Sequence, residues 1–223
     1  MGSMIELKAA DGHKLAAYRA EPAGKARGAV VVIQEIFGVN SHIRGVADGY
    51  AADGYLVIAP AMFDRLQRGY DTGYSPPEIE AGRALMQKVD WKHTLLDVDA
   101  AVAEAKKAGK DGIVGYCWGG TVTWVAAART AGLACAVPYY GGGMHGFIGD
   151  KPKCPVMCNF GELDQTPSPE QARAIAAAHP EITAHFYAGA GHGFNCDQRG
   201  SYNAGASKLA RQRTLEFFRK HLG

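Results

Sequence analysis

The sequence predicts a single α/β domain, with a mostly parallel central sheet and helices on both of its faces. Short apolar, β-branched runs alternate with amphipathic segments of helical length, which is typical of such sheets. No linker, internal repeat or low-complexity segment interrupts the alternation, and 223 residues suit one mid-sized domain. We expect this domain to span residues 4–223, with Met1–Ser3 as a vector-derived remnant before Met4.

The N-terminal half contains turn and cap signals that define its elements. Two alternating runs around Asp11-Gly12 predict a β-hairpin. Residues 29–33 form a continuous β-branched run, which predicts a strand buried on both faces. The elements predicted next are a helix from Asn40 or Ser41 to about Asp53 with Gly54 as its stop, a strand at 55–60, a long connection at 61–77, and helices at about 77–89 and 91–108.

The C-terminal half repeats the strand-then-helix pattern. Its predicted elements are strands at 111–116, 134–140, 154–160 and 182–187, and helices after the first strand up to Gly132, at 169–179 and at about 203–221. We expect Leu209, Leu215 and Phe218 to form the buried side of the last helix. The connection at 61–77 is long enough to predict a contribution to a site.

Composition and charge exclude several classes of function. The net charge is +2 with no basic stripe, so nucleic acid and membrane surfaces are not expected partners. No apolar run is long enough to span a bilayer, and the first residues lack a secretory signal. The five cysteines follow no disulfide framework, which predicts reduced thiols in the cytoplasm. Cys154 and Cys158 lie in a predicted buried strand, so no metal site is expected.

Reactive side chains follow three of the predicted strands. Cys117 follows the strand at 111–116, Asp164 follows 154–160, and His192 follows 182–187. Ligands gather at the carboxyl ends of parallel strands, so these side chains are expected to meet. The order of nucleophile, acid and histidine is that of the serine or cysteine hydrolases built on α/β sheets.

The stretch GYCWGG (115–120) matches the G-x-S-x-G nucleophile elbow with cysteine in place of serine. In that motif small residues let a strand and the following helix approach closely, and the nucleophile occupies a strained turn at the helix N-terminus. The pattern favours Cys117 as a nucleophile over a small buried side chain. Cys135, Cys154 and Cys158 are interpreted as buried packing residues.

The chain resembles the dienelactone hydrolase (carboxymethylenebutenolidase) family of α/β-hydrolases over nearly its whole length. The resemblance is carried by QEIFGVN (34–40), GYCWGG (115–120), the turn at Asp164 and GHGF (191–194). It implies a Cys117–His192–Asp164 triad, and a Glu35 carboxylate that engages the cysteine. It also implies an oxyanion hole formed by the backbone N–H groups of Ile36 and Trp118. The reaction implied is hydrolysis of an ester or lactone through a thioester, without metal or cofactor, by a monomer or a dimer.

The sequence departs from the family at two substrate-binding arginines, which align near Ile79 and Cys196. Without them a substrate carboxylate lacks its charged partner, so dienelactone itself is not the expected substrate. Arg83 and Arg199 are candidate replacements, with Arg65 and Arg68 as further ones. Phe37, Tyr74 and His145 are further candidates for the pocket, with weaker signals from Tyr70 and Tyr139. Cys196 is expected in the pocket wall.

Several alternatives stay open at this point. Asp197 is a rival to Asp164, although its position favours a role in steadying its loop. A thioesterase or acyl transferase uses the same scaffold with another acceptor or acyl group. A non-catalytic binding module has the same fold with a broken triad, and a low-pKa thiol could instead serve a redox role.

Overall fold

The computed structural model describes residues 2–223, and its strands form an eight-stranded sheet. The strands are β1 (Ser3–Lys8), β2 (Lys14–Ala20), β3 (Ala29–Ile33), β4 (Leu56–Pro60), β5 (Asp111–Tyr116), β6 (Cys135–Tyr139), β7 (Met157–Gly161) and β8 (Thr183–Tyr187). Their order is β1-β2-β4-β3-β5-β6-β7-β8. β2 runs antiparallel to both β1 and β4, and every other pair of neighbours is parallel. The predicted mostly parallel sheet with an N-terminal hairpin is confirmed.

Six α-helices connect the strands. They are α1 (Ser41–Ala52), α2 (Pro76–Met86), α3 (Trp91–Ala105), α4 (Trp118–Arg129), α5 (Pro169–Ala178) and α6 (Ala204–His221). Asn40 caps α1 as predicted, since its side chain accepts a hydrogen bond from the Ile43 N–H. Gly54 then adopts a φ of +100°, which only glycine adopts without strain, and so allows the turn into β4.

Alternate residues of each central strand enter two separate cores. Val31 and Ile33 point to the side covered by α3, α4 and α5, whereas Val30 and Val32 point to the side covered by α1 and α6. A sheet buried on both faces needs continuous apolar strands, which explains why β3 shows no polar alternation. Helix α2 packs on the first of these sides, next to the carboxyl ends of the strands.

Two details differ from the sequence prediction. The strand predicted at 154–160 begins only at Met157, because Pro152 and Pro155 before it cannot donate to a sheet ladder. Leu209 is 40% exposed rather than buried. The buried side of α6 is formed by Ala206, Ala210, Thr214, Leu215 and Phe218.

Three further observations concern the N-terminus, the thiols and the length of the helices. Ser3, predicted to be part of a remnant, pairs with Arg19 at the start of β1, while Met1 lies outside the described residues. All five cysteines carry free thiols. Over residues 2–223, no helix is both long and apolar enough to cross a membrane.

Candidate active site

Cys117 occupies a strained turn between β5 and α4. Its φ of +56° lies in the left-handed region, which costs a non-glycine residue about 1–3 kcal/mol and persists only when the surroundings hold it in place. The backbone supplies that hold, because the Cys117 N–H donates to the Tyr139 carbonyl across 3.1 Å and the Cys117 carbonyl accepts from Gly120. The turn projects the sulfur at the N-terminus of α4.

The glycines of GYCWGG make this turn sterically possible. A Cβ at Gly115 would collide with the Gly119 carbonyl, and one at Gly119 would collide with the carbonyls of Ile33 and Gln34. A Cβ at Gly120 would strike the Tyr139 carbonyl. The three glycines therefore let α4 begin in contact with β3, β5 and β6.

The structure brings Cys117, His192 and Asp164 into one hydrogen-bonded chain. His192 Nε2 lies 3.0 Å from Cys117 Sγ, and His192 Nδ1 lies 3.0 Å from Asp164 Oδ2. Asp164 is 1% exposed, and its second oxygen accepts the Thr166 N–H across 2.8 Å. This geometry fixes the carboxylate and, through it, the orientation of the imidazole ring.

The surroundings of His192 favour its protonated form. Burial lowers the pKa of His192, but the adjacent Cys117 sulfur and the Asp164 carboxylate outweigh that effect and raise it well above its ordinary value. The ring is thus placed to accept a proton from the sulfur. The thiolate is the nucleophilic form of cysteine.

Glu35 follows β3, and its side chain is 1% exposed. Its Oε1 accepts from Arg199 across 3.2 Å, while its Oε2 is buried without a hydrogen-bond partner. The Arg199 guanidinium lies over the rings of Phe37 and Tyr74, at 5.6 and 5.9 Å from their centroids. The two aromatic rings and the Glu35 carboxylate thus hold the Arg199 guanidinium in place, and its positive charge compensates the negative charge of Glu35.

Two backbone N–H groups next to Cys117 are free to bind an anion. Within residues 2–223, neither the Ile36 N–H nor the Trp118 N–H donates a hydrogen bond to the protein. Trp118 is the first residue of α4, where N–H groups have no partner within the helix. The Ile36 loop is held by α2, because Gly82 lacks the Cβ that would collide with the Ile36 carbonyl.

A cavity of 680 Å³ opens above Cys117 and His192. Most of its wall is apolar and is formed by Ile36, Phe37, Ile79, Met86, Val89, Trp91, Trp118, Phe147 and Leu163. Arg83 and Arg199 are its charged lining residues, together with Asp164 and His192. Arg83 is exposed and forms no ion pair with the described part of the chain, whereas Arg199 is engaged by Glu35.

Several predicted pocket residues lie elsewhere. His145 is exposed and does not line the cavity, because the short helical turn Met144–Phe147 directs Met144 and Phe147 inward instead. Tyr74 packs behind Phe37, with centroids 4.5 Å apart, and its hydroxyl accepts from Asn40. Cys196 is fully buried behind Glu35 rather than exposed in the pocket wall.

Other candidates also pack away from the cavity. The Tyr139 hydroxyl bonds Thr214 on the opposite side of the sheet, and Tyr70 packs on Phe63. No residue of the connection at 61–77 lines the cavity, although Phe63 stacks on Trp118 at 5.0 Å and supports it from behind. Arg65 is committed to Asp11 and Asp97, while Arg68 lies 3.5 Å from Glu6.

Tyr140 is a site residue that sequence reasoning missed. Its ring packs edge-on against His192 at 5.3 Å, and its φ of +36° reflects a sharp turn after β6. Its hydroxyl is buried without a partner, and burial together with the charge of Glu35 raises its pKa well above the ordinary value. The glycine-rich YYGGGM stretch is a signal for such a turn, but it does not distinguish Tyr140 from Tyr139.

Asp197, the alternative candidate for the acid, does not take part in the hydrogen bonds that join Cys117, His192 and Asp164. It is exposed and lies 3.3 Å from His42 Nδ1, so it steadies its own loop against α1. The order of strands brings together Glu35 after β3, Cys117 after β5, Asp164 after β7 and His192 after β8. A parallel sheet with a strained cysteine elbow, followed by an acid and a histidine at later strand ends, is characteristic of α/β-hydrolases.

Comparisons with known proteins place the chain more narrowly within that class. Residues 15–222 match the family model described as "Dienelactone hydrolase family". A Synechocystis protein provisionally named carboxymethylenebutenolidase is 36% identical, over 94% of this chain and 93% of its own length. A similarly named Escherichia coli O157:H7 protein is 35% identical, over 87% of this chain and 77% of its own. The crystal structure of a provisionally named dienelactone hydrolase from Klebsiella pneumoniae superposes with a TM-score of 0.82 at 30% identity, covering 99% of both chains.

The chain therefore belongs to the dienelactone hydrolase family and has the α/β-hydrolase fold. Its activity is hydrolysis of a lactone or ester. The family resemblance predicted from QEIFGVN, GYCWGG, the Asp164 turn and GHGF is confirmed.

Proposed function

We propose that this protein hydrolyses a small-molecule ester or lactone by covalent catalysis, with Cys117 as nucleophile, His192 as acid and base, and Asp164 as the residue that orients His192. The observation that carries this proposal is the continuous chain from Cys117 through His192 to Asp164, with 3.0 Å at each step. A non-catalytic module would have no reason to maintain the strained φ of Cys117. A cytoplasmic location, a monomeric state and the lack of nucleic-acid or membrane partners stay predictions from the sequence.

In the first half-reaction, the Cys117 thiolate attacks the substrate carbonyl carbon. The carbonyl π electrons move to oxygen, and the developing oxyanion accepts hydrogen bonds from the N–H groups of Ile36 and Trp118. When the tetrahedral intermediate collapses, the bond to the leaving oxygen breaks. His192 Nε2 gives its proton to that oxygen, which leaves as an alcohol or enol and leaves a thioester on Cys117.

In the second half-reaction, water attacks the thioester carbonyl. Neutral His192 takes the proton of the water at Nε2, and the same two N–H groups bind the second oxyanion. Collapse expels the Cys117 thiolate, and the acid leaves as a carboxylate once it has lost its own proton to solvent. The imidazolium and thiolate pair is thereby restored, and the net change is addition of one water to the ester.

Glu35 is proposed to act on Cys117 as an additional proton acceptor. It is buried, and Arg199 holds one of its two oxygens. Since Arg199 and Cys117 line the same cavity, the carboxylate paired with Arg199 is proposed to accept the thiol proton when Cys117 is protonated. The role of Glu35 is thus to regenerate thiolate, while Arg199 holds the carboxylate in place and compensates its charge.

The cavity favours an apolar substrate. Its wall is mainly aliphatic and aromatic, and its 680 Å³ volume falls within the range of drug-sized ligand sites. Arg199 is already paired, so Arg83 at the rim is the cation available to a substrate carboxylate. We therefore expect esters or lactones with a bulky apolar group to be preferred over small carboxylated lactones.

The test is a panel of aryl esters and enol-lactones, each with and without a carboxylate, assayed with the wild type, Cys117→Ala and Cys154→Ala. Cys154 is half-buried and outside the cavity, so it is the matched control. We expect Cys117→Ala to abolish turnover of every substrate and Cys154→Ala to retain it. Full activity of Cys117→Ala would overturn the catalytic assignment, and a strong preference for small carboxylated members would overturn the substrate class.

A further inference from the structure

Three side chains with metal-ligating atoms converge behind the active site. Glu35 follows β3, His42 lies in α1, and Cys196 lies in the loop after β8. One ligating atom from each lies within 4.8 Å of the others, and all three side chains are buried. No other group of three such residues occurs among residues 2–223.

Two polar atoms of these side chains are buried without a hydrogen-bond partner. Glu35 Oε2 and His42 Nε2 both lack a donor or acceptor in the protein. Buried polar atoms are satisfied in more than about nine cases in ten, so two orphans beside one thiol need an explanation. A carboxylate oxygen and an unprotonated imidazole nitrogen both offer a lone pair. A proton or a cation bound between them would satisfy both atoms.

The other nitrogen of His42 already has an orienting partner. His42 Nδ1 lies 3.3 Å from Asp197 Oδ1. A histidine that donates from Nδ1 to a carboxylate presents an unprotonated Nε2, and this is the usual arrangement of histidine at metal sites. A lone pair on His42 Nε2 is thereby left available to a further partner.

We propose that Glu35, His42 and Cys196 form a binding site for a thiophilic divalent cation of the Zn²⁺ class. One sulfur, one nitrogen and one oxygen match the donors of three-ligand zinc sites, whereas Mg²⁺ and Ca²⁺ take oxygen donors. Zinc bonds are about 2.0–2.3 Å long, so the three atoms need to move inward by roughly 1 Å at most. The sequence predicted no metal site, because the pair Cys154 and Cys158 lies in a predicted buried strand and no second pair follows.

The local charges permit such a cation without making the site tight. Glu35 and the Cys196 thiolate together neutralise a divalent ion, and Asp197 adds a negative charge behind His42. Arg199 opposes the cation, but it bonds Oε1 and leaves Oε2 available. As the bond from Cys196 Sγ to the metal forms, the thiol proton leaves to solvent, so binding is expected to strengthen as pH rises.

A cavity separate from the substrate cavity adjoins His42, since the two cavities share no lining residue. His42 and Asp197 line a second cavity of 300 Å³, which is also lined by Tyr50, Tyr116 and Arg211. A cation entering there reaches His42 without passing Cys117.

The experiment uses Co²⁺ as a spectroscopic probe and Zn²⁺ as its competitor, in a Cys117→Ala background. This background removes the Cys117–His192 pair, which is a second place where a thiolate could bind a metal. We expect a thiolate-to-cobalt charge-transfer band that saturates at one equivalent and disappears when Zn²⁺ is added. Adding Cys196→Ser should remove the band, and adding His42→Gln should weaken binding at least tenfold, while Cys154→Ser should change neither.

Each variant is first checked for a cooperative thermal transition, so that loss of the band is read only from folded protein. A dissociation constant of about 1 mM corresponds to weak binding. Absence of a charge-transfer band up to about 1 mM Co²⁺ would therefore overturn the proposal. Retention of the band in the Cys196→Ser variant would overturn it equally. The readout does not depend on turnover, so it stands or falls separately from the hydrolase mechanism.

Discussion

Arg199 donates to one oxygen of Glu35 across 3.2 Å, and the other oxygen of that carboxylate is buried without a partner. The pair holds a charge beside the cysteine elbow that the apolar surroundings would otherwise not tolerate. Arg199 comes from the loop after β8 and Glu35 from the end of β3, so the ion pair also ties the histidine loop to the oxyanion loop.

Replacing Arg199 should therefore destabilise the fold. In Arg199→Gln, Glu35 loses its ionic partner, and an uncompensated buried charge typically costs about 3–5 kcal/mol. We expect urea unfolding to show a loss of about 3 kcal/mol at pH 8. Arg83→Gln is the matched control, because Arg83 is exposed and should change stability by less than about 0.5 kcal/mol. Equal stabilities of the two variants would contradict an energetic role for the pair.

The two aspartates that contact histidines should behave differently. Asp164→Asn removes the charge that orients His192, and comparable changes in a triad lower kcat by about 10⁴-fold. Asp197→Asn alters only the contact with His42, outside the substrate cavity, so hydrolysis should persist within about twofold of wild type. Steady-state kinetics on one aryl ester compares the two, and a larger loss in Asp197→Asn would reverse the assignment.

The thiols should differ in their reactivity towards iodoacetamide. The pKa of His192 is raised well above its ordinary value by Cys117 and Asp164 against the effect of burial, so the ring is suited to hold the proton of the Cys117 thiol 3.0 Å away. Burial raises the pKa of Cys154 to about 11, so that thiol is protonated at neutral pH. At pH 6–7 we expect alkylation at Cys117 alone, as read by peptide mass spectrometry.

The same labelling tests the role of the imidazolium. In His192→Gln the ring that carries the proton is missing, so labelling of Cys117 should slow at pH 6 and recover as the pH rises. In the wild type the rate should be nearly flat over this range. A wild-type rate that climbs tenfold per pH unit would show that the thiolate is not formed by pairing with His192.

Glycine substitutions should separate steric need from helix propensity. In Gly119→Ala the new Cβ meets the carbonyls of Ile33 and Gln34, and backbone atoms of a central strand cannot move aside. We expect the variant to unfold at least about 3 kcal/mol more easily. Gly45 in α1 has open space around its Cβ position, so Gly45→Ala should stabilise by about 0.5–1 kcal/mol. Thermal denaturation checks both, and a tolerated Gly119→Ala would contradict the close approach of α4.

The sequence predicted the sheet, and it predicted that Cys117, Asp164 and His192 lie close together, for identifiable reasons. β3 and β5 are continuous apolar runs that only a doubly covered sheet accommodates, and each reactive side chain is tied to a strand end. Helix ends carried their own signals, such as Asn40 before α1. These features depend on local chemistry and on the topology of a parallel sheet.

Features that depend on loop paths escaped prediction. The position of His145 in a glycine-rich loop after a strand predicts a pocket residue. The helical turn after Gly143 instead directs His145 to solvent. Leu209 precedes the buried Ala210 and is therefore rotated from it by about 100° around the axis of α6, which places Leu209 at the exposed side. The meeting of Glu35, His42 and Cys196 brings the loop after β8 to the segment that joins β3 to α1, and no sequence motif predicts it.

The most direct measurement of the central claim is the mass of the intact protein, quenched in acid during turnover of a slowly hydrolysed aryl ester. The wild type should gain the mass of one acyl group, and peptide mapping should place that group on Cys117. His192→Gln should prevent its release or formation, and Cys117→Ala should show no adduct. An active wild type that never carries an acyl group, or carries it at another residue, would contradict catalysis by Cys117.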